Sequence, residues 1–511
     1  MRGKFPIQWT SCYVFPVSVE KLPIFYSALL LTGVNLLLRF AGTTFQVYLS
    51  GRIGAAGIGL LQLVMSVGSL AMVAGIGGIR TATMYLTAEE LGRKNPQNVT
   101  WVLSACFLYS ICFSGCVAFL LYRFAPVIAA VWIGNPGTAD ALRLFATFLP
   151  VTCLCGILTG YFTAAQRIGP LAAVEVAEQL CSMVLTLSAL SLFAGNDPVR
   201  ACLCVIAGSG AGSILTLTCL IFLRLREKPP TGQRISIRHR LAQTALPLAI
   251  ADDLRSGITT VENLMVPKRL ALNFSVSSPL AAFGLGSGMV FPVIMFPAAI
   301  LFALTELIIP ELARCAAAGS QRRINYLVQK SLRSVLVYGI VMGGLLFLLA
   351  DALCRSLYHS TDAVSHMRTY ALLVPMLYCD IITDAIIKGL GQQKICVRYN
   401  IITSFLDVLF LYFLLPRYGM QGYFLSFFVT HLINFILSLR RLLRITVKSI
   451  PAHIPLLSAS AMGFSLWASG KLTHTVGRSL SYMLLLGALL FLFKILRSED
   501  LRWFKGLIGK R

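Results

Sequence analysis

Apolar runs almost free of charge recur along the chain, at 26–38, 57–79, 102–122, 170–194, 279–310, 334–350, 401–415, 421–437 and 480–493. With their flanks most reach the roughly 20 residues that cross a hydrocarbon core at about 1.5 Å per residue. The pattern predicts an all-α polytopic membrane protein with fourteen spans, at about 24–49, 56–80, 101–123, 139–163, 170–194, 199–224, 241–267, 279–310, 326–350, 366–388, 395–415, 420–439, 452–470 and 479–496. The span at 139–163 is the least regular, because Arg143 sits near its start. Residues 1–23 carry too short an apolar run, broken by Pro16, for a signal peptide or a span, and are expected at the membrane surface or without fixed structure.

The chain repeats itself. "AAGIGLLQLVMSVGSLAMVAGIGGIRTATMYLTAEELGRKNPQN" (55–98) and "AAFGLGSGMVFPVIMFPAAILFALTELIIPELARCAAAGSQRRIN" (281–325) both run from a glycine-rich start through a long span into a polar loop. An offset of about 225 also lays "LRLFATFLPVTCLCGILTGYFTAAQRIGPLAAV" (142–174) on "MRTYALLVPMLYCDIITDAIIKGLGQQKICVRY" (367–399), with Pro150 on Pro375. Six spans intervene, so both copies keep one orientation. The expected organisation is a surface segment (1–23), a six-helix lobe (24–224), a basic linker (225–237), a second six-helix lobe (238–448), two further helices (449–496) and a basic tail (497–511). Parallel repeats of this kind are a transporter architecture, with the site between lobes that rock to give alternating access.

The first helix of each lobe carries a polar face. At about 100° per residue, Thr32, Asn35, Arg39, Thr43, Gln46 and Ser50 share a sector of about 80°. In "PLAIADDLRSGITTVENLMVPKRL" (247–270), Asp252, Arg255, Thr259, Glu262, Asn263 and Arg269 share a stripe of about 120°. Charge on an apolar helix faces a bundle interior or an aqueous cavity, so these faces are expected to line a cleft between the lobes. The competing reading is that the charges pair with one another to hold helices together. Asp407 stands mid-span with no sequence neighbour to pair with, Asp384 and Lys388 form a local i,i+4 pair, and Glu175 and Glu178 sit in the first turns of their span. The first of these repeats, 55–98 on 281–325, has an offset of 226 and carries Arg80 onto Glu306, which makes an inner gate closed by that pair one expectation and Arg80 reaching the headgroups the other.

Composition agrees with a membrane protein: 57% of residues are hydrophobic and 13% charged, against about 25% charged in soluble domains. The net charge of +24 invites a nucleic-acid reading, but its distribution excludes it. Thirty of the 44 Lys and Arg lie on one set of alternating loops and ten on the other, the positive-inside bias that puts both termini in the cytoplasm. The fourteen cysteines are scattered through spans without zinc spacing, as packing thiols are. No Walker A, H-E-x-x-H or D-D-x-x-D pattern occurs, so neither an enzyme nor a cofactor or metal centre is expected, and "GLGSG" (284–288) is helix-packing glycine.

"GRIGAAGIGLLQLVMSVGSLAMVAGIGGIRTATMYLTAEELGRKN" (51–95), "VENLMVPKRL" (261–270) and "FPAAILFALTELIIPELAR" (296–314) resemble the polysaccharide-transporter branch of the multidrug/oligosaccharidyl-lipid/polysaccharide exporter superfamily, the stage V sporulation protein B group above all. The likeness covers most of 24–450. It implies a flippase in a bacterial inner membrane of a spore-forming, Gram-positive lineage, moving undecaprenyl-pyrophosphate-linked saccharide, including the peptidoglycan precursor, to the outer leaflet. Its implied partners are that lipid, the surrounding membrane lipids, a coupling H⁺ or Na⁺, and a cell-wall synthase. The related lipid II flippases hold the diphosphate with several cavity arginines; here only Arg39 matches, with Arg255 and Arg269 as substitutes from the other lobe, and Asp252 and Glu262 to tune them, bind sugar or carry the ion. The rivals are a cation-coupled multidrug exporter of the same superfamily and, more remotely, a membrane-embedded transferase.

Overall fold

A computed structural model describes residues 24–446 and 453–495, apart from short breaks at 77, 93–95, 166, 196, 227–237, 275, 318, 359–360, 473 and 494. The surface segment, nearly all of the linker and the basic tail expected from sequence lie outside the described residues.

Among the described residues the helices group into fourteen segments: α1 (24–53), α2 (55–76 and Ile79–Gly92), α3 (96–133), α4 (136–164), α5 (168–194), α6 (Pro198–Leu225), α7 (Arg238–Leu270), α8 (279–295 and 299–317), α9 (Gln321–Tyr358), α10 (Asp362–Gly389), α11 (393–418), α12 (420–445), α13 (His453–Ser469) and α14 (Thr475–Leu492). They form two pseudo-symmetric six-helix lobes with two helices added, and among the described residues nine helical stretches are long and apolar enough to cross a membrane by themselves. Two hairpins turn so tightly that helix continues through them. At Gly54 (φ 70°) and Gly419 (φ 55°) the backbone enters the positive-φ region that a Cβ disfavours. Gly195, which joins α5 to α6, has nearly the same angles as Gly419 (φ 54°, ψ −127° against φ 55°, ψ −135°), so the repeat extends to backbone conformation. The bounds repeat too: α3 begins at Pro96 and α9 at Gln321, 225 positions on.

Several helices outrun the spans expected from hydropathy, α3 and α9 by about thirteen to fifteen residues each, because helices project beyond the hydrocarbon core. The span expected at 279–310 is bent by 62° between Met295 and Ala299, where Pro297 cannot continue the backbone ladder and its carbonyl accepts a 2.8 Å bond from the Tyr338 hydroxyl instead. Arg143 is held by Asp140 one turn earlier, at 3.1 Å. The added helices dock on α9, where the buried Tyr482 donates to the Ile340 carbonyl at 2.7 Å. The thirteen described cysteines are free thiols.

Candidate transport site between and within the lobes

The lobes meet along a seam of small residues. A Cβ at Gly284 of α8 would stand 1.9 Å from the Ala55 carbonyl oxygen of α2, and one at Gly59 of α2 would stand 2.3 Å from the Leu280 carbonyl oxygen. Between membrane helices association comes from close packing rather than from water exclusion, and missing side chains let backbones approach. Polar side chains fasten the same seam. Gln46 Nε2 of α1 donates to the Gly288 carbonyl of α8 at 3.0 Å, within the π-helical turn 284–290. From α7, the Thr260 hydroxyl donates to the Ser66 carbonyl of α2 at 3.1 Å and Asn263 Nδ2 to the Ser66 hydroxyl at 3.0 Å. Lys268 Nζ reaches the Val131 carbonyl at the end of α3 at 2.5 Å. All these bonds lie in the half of the molecule that holds the 53–55 turn, away from the basic loops.

Beyond the last of them stand two exposed arginines, one from each lobe. Arg39 lies fourteen residues before position 53 and Arg255 fifteen before Leu270, so both are about 21–23 Å down their helices. The Arg39 guanidinium covers the Phe302 ring of α8 at 4.1 Å, and beside it Phe40 meets Phe296 at 5.9 Å, so α1 presents its cation against the opposite lobe. Thr43 is half-buried between Arg39 and Gln46 in sequence. The side chains of Asn35, Asp252 and Glu306 lie outside the described residues. Arg80 is exposed, and its charge acts on Glu175 of its own lobe.

The polar stripe of α7 is not one surface. Of its members Asn263 turns to the first lobe, as does Thr260 beside the stripe, while Glu262 and Arg269 turn to α11 of their own. Arg269 stacks on Tyr412 with its guanidinium 3.3 Å from the ring centroid, outside the arrangement of Arg39 and Arg255. Glu262 stands within hydrogen-bonding reach of Asp407, which is buried. A bond between two carboxyl groups exists only when one carries a proton, since an ionised carboxylate has only acceptors; a small cation between their oxygens fulfils the same need. Asp407 Oδ1 also accepts from Ser426 (2.5 Å) and Thr430 (3.2 Å) of α12. Tyr370 of α10 and Tyr423 of α12 hydrogen-bond to each other, and Tyr423 also to Ser287 of α8. The Tyr370 ring packs edge-on against Phe424 (4.9 Å) and Phe427 (5.5 Å). The result is a carboxyl pair inside an aromatic wall, where a low dielectric magnifies the difference between an occupied and an empty site.

Asp407 was singled out in the sequence as an unpaired mid-span charge; its partners were not. Ser426, Thr430, Asn434 and Ser438 recur every four residues, a stripe down one face of α12 that periodicity displays. Asp384 is bonded to Asn400 (3.3 Å) and Ser438 (3.4 Å), with Lys388 one turn on as a charged neighbour.

Residues 32–196 match the MatE family. The chain is 22% identical to stage V sporulation protein B of Bacillus subtilis (strain 168) over 407 residues, 77% of this chain and 78% of that protein. Its fold is similar to that of lipid II flippase MurJ in an inward closed conformation (TM-score 0.67, 14% identity, 91% of this chain and 98% of that one). It is similar, too, to a multidrug resistance MATE family transporter in an inward-facing conformation (TM-score 0.66, 11% identity, 82% and 100%). The family match lies in the first lobe, and the relative and the two solved structures carry the likeness over most of the chain, whose fold is that of transporters of the multidrug/oligosaccharidyl-lipid/polysaccharide exporter superfamily.

Proposed function

We propose that the protein is a flippase for a polyprenyl-diphosphate-linked saccharide, with peptidoglycan precursor as the leading substrate. The observation that supports this reading is that Arg39 of the first lobe and Arg255 of the second are both exposed and stand fourteen and fifteen residues along their helices from position 53 and Leu270. A diphosphate crosses hydrocarbon only where cations replace its water, and guanidinium binds phosphate oxygens through charge-assisted, bidentate bonds. With the basic loops in the cytoplasm, the seam closes the outer side, and the arginines face substrate arriving from within. The headgroup docks there while the lipid tail stays in the bilayer between the lobes. Reopening the seam and closing the basic side, with Arg80 and Glu306 as a gate pair, then carries it to the outer leaflet.

The second part of the reading is energetic. Glu262 and Asp407 form an ion site whose occupancy by H⁺ or Na⁺ biases which side is open, since a ligand shifts a two-state equilibrium only by its differential affinity for the states. A bacterial inner membrane with both termini cytoplasmic, and a synthase on the far side to use the flipped lipid, complete the picture.

The test is native mass spectrometry of the purified protein with undecaprenyl-pyrophosphate-linked saccharide. Wild type is expected to retain the lipid, and Arg39→Ala to lose it. Equal retention by both removes Arg39 from the site; no retention by either, with proton-linked binding of organic cations, makes the protein a multidrug exporter of the same superfamily.

A further inference from the structure

Below the carboxyl pair, polar groups continue through the second lobe toward the basic end. One turn past Thr430 on α12, Asn434 Nδ2 donates to both oxygens of Asp380 of α10, at 3.1 Å each. His431 Nδ1 stands 3.6 Å from Asp380 Oδ2, an ion-pair distance when the ring is protonated, and its ring lies 4.2 Å from Phe427 of the wall around Asp407. One turn past Asp380 is Asp384, held by Ser438 and Asn400 and followed by Lys388 at the end of α10. Asp380 is 8% and Asn434 5% exposed. An interior this dry has little use for three carboxyl-bearing levels as packing, because a buried charge pair is a weak stabiliser.

The amide that holds Asp380 adds an independent sign. Asn434 Oδ1 is buried with no donor bonded to it, although buried acceptors are nearly always satisfied. It lies on the residue between Thr430, which donates to Asp407, and Ser438, which donates to Asp384. An acceptor in that place takes a proton-bearing donor. Two carboxyls and an imidazole, joined level to level through Asn434 and Ser438, are groups that take up and release protons.

We propose that Asp384, Asp380 and His431, aligned by Asn434, form a proton path through the second lobe between the basic end and the Glu262–Asp407 pair. The inference rests on reading that pair as an ion site. A proton enters on the Asp384 carboxylate from hydronium, leaving water; it moves to the Asp380 carboxylate, restoring Asp384, and from Asp380 by way of His431 to the upper pair, restoring Asp380. Only O–H and N–H bonds change: hydronium becomes water, the Glu262–Asp407 pair gains the proton, and Asp384, Asp380 and His431 end as they began. Successive levels are one helical turn apart, about 5–6 Å, so rotation of the imidazole or a water molecule completes each hop. The titratable and charged groups facing Asp380 and Asp384 are Cys379 and Lys388 on α10, Cys396 on α11 and His431 on α12, with the Tyr338 ring of α9 stacked on Tyr378 one turn before Asp380's level.

The experiment is a pH jump on proteoliposomes of the full chain adsorbed to a solid-supported membrane, reading the displaced charge and its relaxation rate. Wild type is expected to give a transient current that Glu262→Gln abolishes. Asp380→Asn and Asp384→Asn are expected to keep the displaced charge and slow its relaxation at least tenfold, and His431→Gln to slow it less. Asp384→Asn, nearer the helix end, serves if Asp380→Asn does not fold. Wild-type rates in both Asn variants overturn the path and leave the ion site standing. A current after a Na⁺ jump but none after a pH jump also overturns it and makes the pair a Na⁺ site. No current after either jump overturns both the path and the ion site.

Discussion

The two lobes are one scaffold filled in two ways. At an offset of 225, Asp380 of α10 falls on Cys155 of α4, Asp384 on Thr159 and Asp407 of α11 on Ser182 of α5. Where the second lobe has carboxyls, the first has small, weakly polar side chains. Cys155 Sγ lies 3.2 Å from the Ser213 carbonyl of α6, in the layer where Asp380 meets Asn434. The last helices differ in the same sense. α12 lines the interior with Ser426, Thr430, Asn434 and Ser438, whereas α6 puts Gly208, Gly210 and Gly212 against its neighbours, so closely that a Cβ at Gly210 would stand 2.2 Å from the Phe148 ring. At these positions one lobe is closely packed, its nearest carboxyl being Glu178, which accepts from Thr216 of α6 at 2.7 Å; the other lobe sets three carboxyls in hydrogen-bonded order. Duplication supplies the shared scaffold, and divergence puts the proposed ion chemistry in one half.

Exchanging residues between equivalent positions gives the strongest test. Ser182→Asp sets a carboxylate among the close-packed glycines of α6, without the hydroxyls that serve Asp407. It is expected to destabilise the protein by about 3–5 kcal/mol, as an uncompensated buried charge does, and to lower the unfolding temperature in detergent. Asp407→Ser is expected to leave that temperature near wild type and to abolish ion-dependent charge movement. If the two substitutions cost the same stability, the lobes are not filled as differently as their side chains indicate.

Next in size is the seam. Gly284→Ala places a methyl 1.9 Å from the Ala55 carbonyl, where backbone opposes it. Overpacking of this kind costs about 1–3 kcal/mol, enough to move a balanced two-state equilibrium by about 5–150-fold. Spin labels on α2 and α8 are expected to report a longer distance, with transport reduced. Gly210→Ala meets the Phe148 ring, a side chain that can turn aside. It is expected to lower thermal stability by a smaller amount and leave the distribution of distances unchanged. A shift in those distances with Gly210→Ala would mean that packing inside a lobe, as well as contact between lobes, sets the open side.

What the sequence made legible follows from the range of each signal. Fourteen spans, the repeat and its offset are carried by apolar runs and spacing, which a bilayer enforces locally. The polar faces of α1 and α7 were visible as angular stripes, but an angle on one helix does not say which neighbour it meets. Thus Arg269 is found on Tyr412, and Glu262 reaches Asp407, 145 positions away. The bend in α8 at Pro297 was concealed because both halves are apolar. The α12 stripe could be read, yet Ser and Thr are common in membrane helices, bonding their own backbone as Thr430 also does to the Ser426 carbonyl. Only the positions of Asp380, Asp384 and Asp407 opposite it give the stripe a task.

The smallest predicted effect divides the proton from the sodium ion. Thr430 supplies one of two hydroxyl bonds to Asp407 Oδ1, and Ser426 supplies the other at shorter range. Thr430→Val keeps the shape and removes one bond, a loss of about 0.5–1.5 kcal/mol, or roughly tenfold or less in ion affinity. For a proton, the ligand is the carboxyl oxygen itself, so the charge displaced by a pH jump is expected to survive in Thr430→Val with a modest change in midpoint. For Na⁺, a hard cation that needs several oxygen ligands, the lost hydroxyl is part of the coordination shell. A Na⁺-driven current that disappears in Thr430→Val while Ser426→Ala behaves alike would therefore assign the carboxyl pair to Na⁺. It would leave the first lobe's close packing as it stands and remove the reason for a proton-conducting interior in the second.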